Sequence, residues 1–358
     1  MSQHHAIVSI IGTRPELQRV IPVLHELKRR SQQPVILYIP QKRDPDAQEM
    51  LSQSGITSFT FSQLFNKRKA GSIDTLIQTI QKKLDIIGAQ TILVSGDTTV
   101  AVAACLAAQQ RMIPISKIGA GFRLGDFNAP EEKNDILTDH LATNLFCFSE
   151  DARKNLIAEG VPEKKIILSG STLIWHIHET LRSQFFRRDE KGTVLVSLHR
   201  KSNLDSKQTM EAIFHTLAQK KITATCIIHH ELTQVKSPRS KYITMHTNPV
   251  SYALFIKKLA QAHYVITDSS TLAEEACFLG IPCITIASHT NRKETIDIGA
   301  NILVNPNTDK KKFREELEKA IYRTNKNKRT WKFPYGDIKM TMFIANCIAD
   351  TVQNKKPQ

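Results

Sequence analysis

Short runs of aliphatic and β-branched residues alternate with amphipathic stretches along nearly the whole chain, and no other feature constrains the fold as strongly. "AIVSII" (6–11), "PVILYI" (34–39), "TILVS" (91–95), "IPISKI" (113–118), "NLFCFS" (144–149) and "KIILSG" (165–170) have the length and composition of buried strands. Between them lie segments such as "DAQEMLSQSG" and "TLIQTIQKKLDIIGA", whose apolar residues recur at helical spacing. A second series begins near residue 190 with "TVLVSLH" (193–199). It continues through "ATCIIHH" (224–230), "YVITD" (264–268), "PCITIA" (282–287) and "NILV" (301–304). Strands alternating with helices make βαβ units, and such units build parallel sheets. The pattern predicts an α/β protein of two Rossmann-like domains that face one another, with the carboxyl ends of both sheets around one cleft. The helical, then charged segment "WHIHETLRSQFFRRDEKG" puts the boundary near 180–190. Residues 1–183 are then the first domain and 184–340 the second, and 341–358 reads as one more amphipathic helix.

Bulk properties narrow the function. No stretch of about 18 uninterrupted apolar residues occurs, so no membrane span is expected. The N-terminus "MSQHHAIVSIIG" lacks the basic and long apolar segments of a signal peptide. Six scattered cysteines with no C-x-x-C pair fit reduced core thiols in a cytoplasmic protein. The net charge of +15 invites a nucleic-acid reading. Yet the lysine clusters "KRR" (28–30), "NKRK" (66–69), "KKK" (310–312) and "TNKNKRTWK" (324–332) read as solvated helix faces and loops. Zinc-finger spacing, an RNA-recognition signature and a recognition helix are all missing. An anionic small-molecule substrate fits the basic balance better than nucleic acid does.

Polar motifs collect where strands are expected to end. In "IIGTRPELQRVIPVLHEL" (10–27), Gly12-Thr13-Arg14 forms a strand-to-helix turn and Pro15 suits the first helical turn. Such a turn offers N–H groups and a helix N-terminus to an anion, and Arg14 adds a planar fork of donors. Gly96-Asp97-Thr98-Thr99 follows another strand, where Asp97 serves either chemistry or helix capping. "GAGFRLGDFNAPEEKNDILTDHLA" carries Arg123, Asp126, Glu131, Glu132, Asp139 and His140 directly after a strand. His199 and Arg200 end the first strand of the second series, placed to bind phosphate or carry a proton. Ser269, Ser270 and Thr271 offer hydroxyls and N–H groups at a helix start, either as a diphosphate cradle or as plain N-caps. Arg292 and Glu294 lie in a later loop. His229-His230-Glu231 makes a poor metal site because neighbours on a strand point to opposite faces, and no metal is expected.

Taken in order, GTRPE (12–16), GDTT (96–99), AG-F-R-x-GD (120–126), PEE-x-N (130–134), LTDH (137–140), HR (199–200), DS-x-x-x-x-EEA (268–276) and T-x-R-x-E (290–294) resemble the motifs of the non-hydrolysing UDP-N-acetylglucosamine 2-epimerases. The resemblance runs from about residue 7 to about 305. It implies a glycosyltransferase-B-like pair of Rossmann domains, a homodimer, and a C-terminal helix packing back on the first domain. It also implies interconversion of UDP-N-acetylglucosamine and UDP-N-acetylmannosamine, without metal or nicotinamide, by expulsion and re-addition of UDP. Position by position, Arg14, Arg19, His199, Ser269, Ser270, Glu275 and Arg292 match residues around UDP, and Phe255 matches a position beside the uracil. Asp97, Glu131 and His199 match the groups of the catalytic centre, the two carboxylates being those assigned to acid/base work on the sugar. Gln41, Arg200 and His230 match an activator site for a second UDP-sugar.

The departures fall mainly at the sugar end. The family's V-E-A-G-L-R is Ile118-Gly119-Ala120-Gly121-Phe122-Arg123, so a usual catalytic Glu is Gly119. Arg19 stands where the family has Lys, and D-S-G-G is Asp268-Ser269-Ser270-Thr271. Strand alternation predicts that Lys117 and Gly119 share the face toward the cleft. Two alternatives remain open at this point: a different UDP-amino-sugar 2-epimerase, hydrolysing or for a modified sugar, and a non-catalytic sugar-nucleotide-binding protein.

Overall fold

The structure, a computed structural model, describes residues 6–40, 44–61, 72–182, 192–227, 240–246, 250–327 and 329–353. The chain divides into two units. One comprises Met1–His176 with Tyr335–Gln358 and the other Ile177–Pro334.

The first unit holds strands β1 (Ala6–Ile11), β2 (Gln33–Tyr38), β3 (Thr57–Thr60), β4 (Ala89–Ser95), β5 (Ile115–Ala120), β6 (Asn144–Cys147) and β7 (Ile166–Leu168). Helices α1 (Arg14–Arg29), α2 (Pro45–Ser54), α3 (Ile73–Ile87), α4 (Thr99–Gln110), α5 (Pro130–Leu141) and α6 (Glu150–Ala158) alternate with them. The sheet order is β3-β2-β1-β4-β5-β6-β7, and each neighbouring pair is parallel. Every residue of β1 is buried, as expected for a strand covered by helices on both faces. Burying a side chain such as Ile7, Val8, Ile10 or Ile11 contributes roughly 1.5–3 kcal/mol. The unexpected strand β3 is exposed at all four positions. A short polar edge strand has no apolar run to announce it.

Helix α7 (Ile174–Leu181) spans the division between the units. In the second unit follow β8 (Val194–Ser197), α8 (Lys201–Leu204), α9 (Lys207–Gln219), β9 (Ala224–Ile227), β10 (Ile243–His246), α10 (Tyr252–Gln261) and β11 (Val265–Thr267). They are succeeded by α11 (Ser270–Phe278), β12 (Cys283–Ile286), α12 (Lys293–Asp297), β13 (Asn301–Val304) and α13 (Lys310–Asn325). This sheet is also parallel, in the order β10-β9-β8-β11-β12-β13.

The strand order reverses between β1 and β4 in one sheet and between β8 and β11 in the other. In an open parallel sheet the loops at such a point leave in opposite directions and open a crevice at the carboxyl ends. Each unit therefore has one favoured place for a ligand.

The expected boundary at 183/184 lies outside the described residues, and the chain divides earlier, inside α7. The reason is local. The His176 ring nitrogen Nε2 meets the Gln18 carbonyl of α1 at 2.7 Å, and Trp175 stacks on His25, whereas Ile177 packs into the core of the second unit. The return comes at Tyr335 rather than near 340. Its side chain is fully buried and its carbonyl accepts the Ser171 N–H at 2.7 Å. Helix α14 (Lys339–Gln353) then packs on α1, and Asn144 Nδ2 donates to Thr351 Oγ1 at 3.2 Å.

Desolvation against α1 pushes the His176 imidazole down to about 4, outweighing its hydrogen bond to Gln18, and the nearby His25 adds to the depression. The folded value lies below the ordinary imidazole value of 6.5, so the unfolded chain takes up this proton first. Stability from this group is present above pH about 6.5 and is lost as pH falls toward about 4. His176→Gln keeps a donor for the Gln18 carbonyl but cannot titrate. Its melting temperature is expected to fall less than that of the wild type across this window, and parallel melting curves would refute the assignment.

Candidate active site

At the switch point of the first sheet, the β1–α1 turn meets the β4–α4 turn. Thr13 is the N-cap of α1, with extended backbone, and Glu16 occupies the third helical position. Its Oε2 accepts the Gly12 N–H at 2.6 Å and the Thr13 N–H at 3.1 Å, satisfying donors that a helix start leaves over. Its Oε1 accepts the Thr98 hydroxyl at 2.8 Å. The N–H groups of Gly12 and Thr13, expected to face an anion, are thus taken by a carboxylate of the same chain. Arg14, the cation of this turn, is half-buried and ion-paired with Asp46 of α2. Arg19 lies on the same helix, roughly 140° around the axis at 3.6 residues per turn, and its carbonyl accepts the Thr172 hydroxyl at 2.7 Å.

Asp97 stands in the β4–α4 turn, at the end of the strand beside β1. It does not cap α4. Thr98 does, accepting the Ala101 N–H at 3.2 Å. The Asp97 carbonyl accepts Asn134 Nδ2 at 2.9 Å, which ties this turn to α5. Glu131, in the first turn of α5, is exposed. Its neighbour Glu132 is buried and accepts the Leu124 and Gly125 N–H groups at 2.6 and 3.2 Å. The two carboxylates of the PEE run therefore have different tasks: one shapes the β5–α5 loop and the other faces solvent.

Under that loop lies a buried charge network that the sequence did not announce. Lys117 is fully buried and donates to Asp135 Oδ1 at 2.6 Å and to Thr138, with Asp139 Oδ1 at 3.5 Å. Burial alone would lower the Lys117 pKa, but Asp135 and Asp139 more than offset it and hold the ammonium protonated. Asp139 also accepts the Gly121 N–H at 3.0 Å and Arg123 Nη1 at 2.9 Å. Arg123 forks onto Glu159 with two 2.7 Å bonds. Most of the loop charges read as site candidates are thus structural ties.

Gly119 does not follow the alternation expected of it. The ladder runs from Ile118–Phe146 to Ala120–Cys147 and skips it, so Gly119 is a bulge residue. Its φ is +76°, and a Cβ there would point at the Phe148 and Phe122 rings, 3.5 and 3.8 Å away. Lys117 and Gly119 therefore do not share a face. The next atom at Gly119 meets an apolar wall made by two edge-to-face rings.

In the second unit His199 and Arg200 follow β8 and Ser269 follows β11, the two strands of the switch point. Asp268 is buried. Its two oxygens accept the backbone N–H groups of His199 at 2.8 Å and Arg200 at 3.0 Å. Asn203 donates to the same carboxylate at 3.0 Å and to the Ile286 carbonyl at 3.1 Å. His199 and Arg200 are exposed, and His199 Nε2 lies 3.1 Å from Ser197 Oγ. Ser269 is the N-cap of α11, accepting the Leu272 N–H at 3.3 Å, and Ser270 opens the helix. Glu275 on α11 accepts the Tyr252 hydroxyl at 2.8 Å. Phe255, one turn along α10 from Tyr252, is half-buried against the core. Arg292 is 1 % exposed and donates from Nε to the equally buried Glu274 at 2.6 Å. Truncating Arg292 would strip the cation from a buried carboxylate and destabilise the fold.

Gln41 and His230 lie outside the described residues, as do His229 and Glu231. Among the described residues no group of three or more His, Cys, Asp and Glu is placed to hold a metal ion, and no helix is long and apolar enough to cross a membrane. The six cysteines are free thiols, five of them buried.

Two doubly wound α/β units, each with its polar residues at the switch point of a parallel sheet, define a nucleotide-binding class of protein. A family model described as UDP-N-acetylglucosamine 2-epimerase matches residues 59–349, and the chain belongs to that family. The UDP-N-acetylglucosamine 2-epimerase of Methanocaldococcus jannaschii is 29% identical over 359 residues, which cover 92% of this chain and 94% of that protein. The protein of the same name from Escherichia coli K12 is 28% identical over 360 residues, covering 92% and 95%. The crystal structure of the M. jannaschii UDP-GlcNAc 2-epimerase in complex with UDP-GlcNAc and UDP superposes with a TM-score of 0.84 at 28% identity, over 96% of this chain and 99% of that one.

A side chain at Gly119 must adopt a left-handed backbone, which costs about 1–3 kcal/mol. Gly119→Glu is therefore expected to lower stability by that amount in urea unfolding, without affecting UDP binding measured by calorimetry. A variant as stable as the wild type would show that the bulge tolerates a side chain.

Proposed function

We propose that this chain is an isomerase that interconverts UDP-N-acetylglucosamine and UDP-N-acetylmannosamine by eliminating and re-adding UDP. One observation carries the reading in a chain of this family: Asp97 follows β4 and Glu131 opens α5, and the Asn134 side chain of α5 donates to the Asp97 carbonyl. The hydrogen on the sugar's carbon 2 is not acidic, so its direct removal is unfavourable. Breaking the anomeric C–O bond with loss of that proton gives UDP and a glycal. Protonation of the other face, with UDP adding back to the anomeric carbon, gives the epimer. Asp97 and Glu131 are the acid/base pair in this reading, with His199 beside the leaving diphosphate. Arg14, Arg19, Ser269, Ser270, Glu275 and Arg292 form the UDP site, with Phe255 against the uracil. Gln41, Arg200 and His230 form an activator site for a second UDP-sugar. The assembly is a homodimer, and the protein works in the cytoplasm.

The test is incubation with UDP-N-acetylglucosamine in deuterated water, followed by NMR. The expected product is the epimer with deuterium at carbon 2. Free UDP with N-acetylmannosamine would mean a hydrolysing enzyme, and UDP-sugar binding without turnover would mean a binding protein. Glu131→Gln should keep UDP binding and lose about 10²–10⁴-fold in turnover, the usual scale for one acid/base group. A near-normal rate in that variant would remove Glu131 from the chemistry.

A further inference from the structure

Glu16 has no part in the reaction just described, yet it touches both turns at the switch point of the first sheet. Its residue is 2% exposed. Oε2 holds the Gly12 and Thr13 N–H groups at 2.6 and 3.1 Å, and Oε1 holds the Thr98 hydroxyl at 2.8 Å. On the other side of Asp97, Gly96 has φ +84°, and a Cβ built there would lie 2.7 Å from the Glu16 side chain. Real Cβ atoms do not approach so closely, so only glycine fits. The Gly96-Asp97-Thr98 turn thus rests on Glu16 at the residues immediately before and after Asp97.

We propose that Glu16 is a positioning residue that locks the β4–α4 turn to the β1–α1 turn and so fixes where Asp97 stands above the sheet. The proposal rests on the reading of Asp97 as an acid/base group. Glu16 acts through that residue and is not itself catalytic.

Its surroundings make the lock sensitive to pH. The titratable neighbours are Asp97 in the β4–α4 turn and Tyr38 at the end of β2. Arg14, on Glu16's own helix, is engaged by Asp46. Burial is the largest influence and raises the carboxyl. The bonds from Gly12, Thr98 and Thr13 pull it back and the charge of Asp97 lifts it again, so that it titrates at about 7. An ionised Glu16 holds its N–H donors by charge-assisted bonds, roughly twice as strong as neutral ones. Protonation loosens the turn, so kcat is expected to fall as pH drops through about 7.

The test compares wild type, Glu16→Gln and Glu16→Ala. In Glu16→Gln the amide oxygen can accept the Gly12 and Thr13 N–H groups and the amide nitrogen can donate to Thr98, but nothing titrates. This variant is expected to lower kcat by about 3–10-fold and to lose the acidic limb near neutrality. Glu16→Ala is expected to lower kcat by about 10–100-fold with KM within about twofold, the pattern of a displaced catalytic group. Amide hydrogen exchange in the peptide spanning Gly96–Thr98 reads the lock without any turnover, and Glu16→Ala should speed it by about tenfold or more. An acidic limb that survives in Glu16→Gln, or exchange at this turn unchanged in Glu16→Ala, would overturn the proposal. If the wild type fails to epimerise at all, the functional reading falls, and the exchange measurement still decides whether Glu16 holds the turn.

Discussion

A parallel sheet covered by helices on both faces leaves almost no place for charge except beyond its strand ends. The rest of this molecule follows from that constraint. Strands β1, β8 and β12 are buried throughout. Among the described strands the lysine exception is Lys117 on β5, and it is tolerated because Asp135, Thr138 and Asp139 of α5 surround its ammonium group. An unpaired charge at that depth would cost several kcal/mol. The pairing also fixes α5 over the sheet, and α5 carries Glu131 at its start.

The same device recurs in three turns. A buried carboxylate accepts two consecutive backbone N–H groups: Glu16 takes Gly12 and Thr13, Glu132 takes Leu124 and Gly125, and Asp268 takes His199 and Arg200. Each arrangement fixes the path of a loop next to a candidate site residue. It also consumes the backbone donors that such turns often present to phosphate. In the proposed reading, recognition of an anionic ligand falls to side chains such as Arg14, His199 and Arg200, and to the start of α11 at Ser269 and Ser270. The cost of this design is that three carboxylates lie buried beside candidate site residues. Their hydrogen bonds offset that cost only while both N–H partners are in place.

Sequence periodicity alone determined the class of fold, because a buried strand needs about five apolar residues in a row and a covering helix needs an apolar stripe, and both survive any tertiary detail. It also marked the turns at Gly12, Gly96, His199 and Ser269, where glycine, hydroxyl or charged residues interrupt an apolar run. The order of those motifs pointed to the family. It missed β3, whose TSFT is exposed and polar, and β10, whose ITMH is short. Only the tertiary structure decided which of the polar residues at the strand ends are structural. Glu131 and Glu132 are adjacent and chemically identical, and their separate fates depend on which one points back at Leu124 and Gly125. Gly119 reads as a strand residue until the ladder to β6 skips it and turns it toward Phe148. Glu16 reads as the polar side of an amphipathic helix, and Thr98, its partner, is 82 residues away. The division inside α7 is likewise invisible to local pattern, since His176 and Ile177 are neighbours in one helix and differ only in which core they reach. Periodicity reports whether a side chain meets water or protein, and only the fold decides which protein atoms it meets.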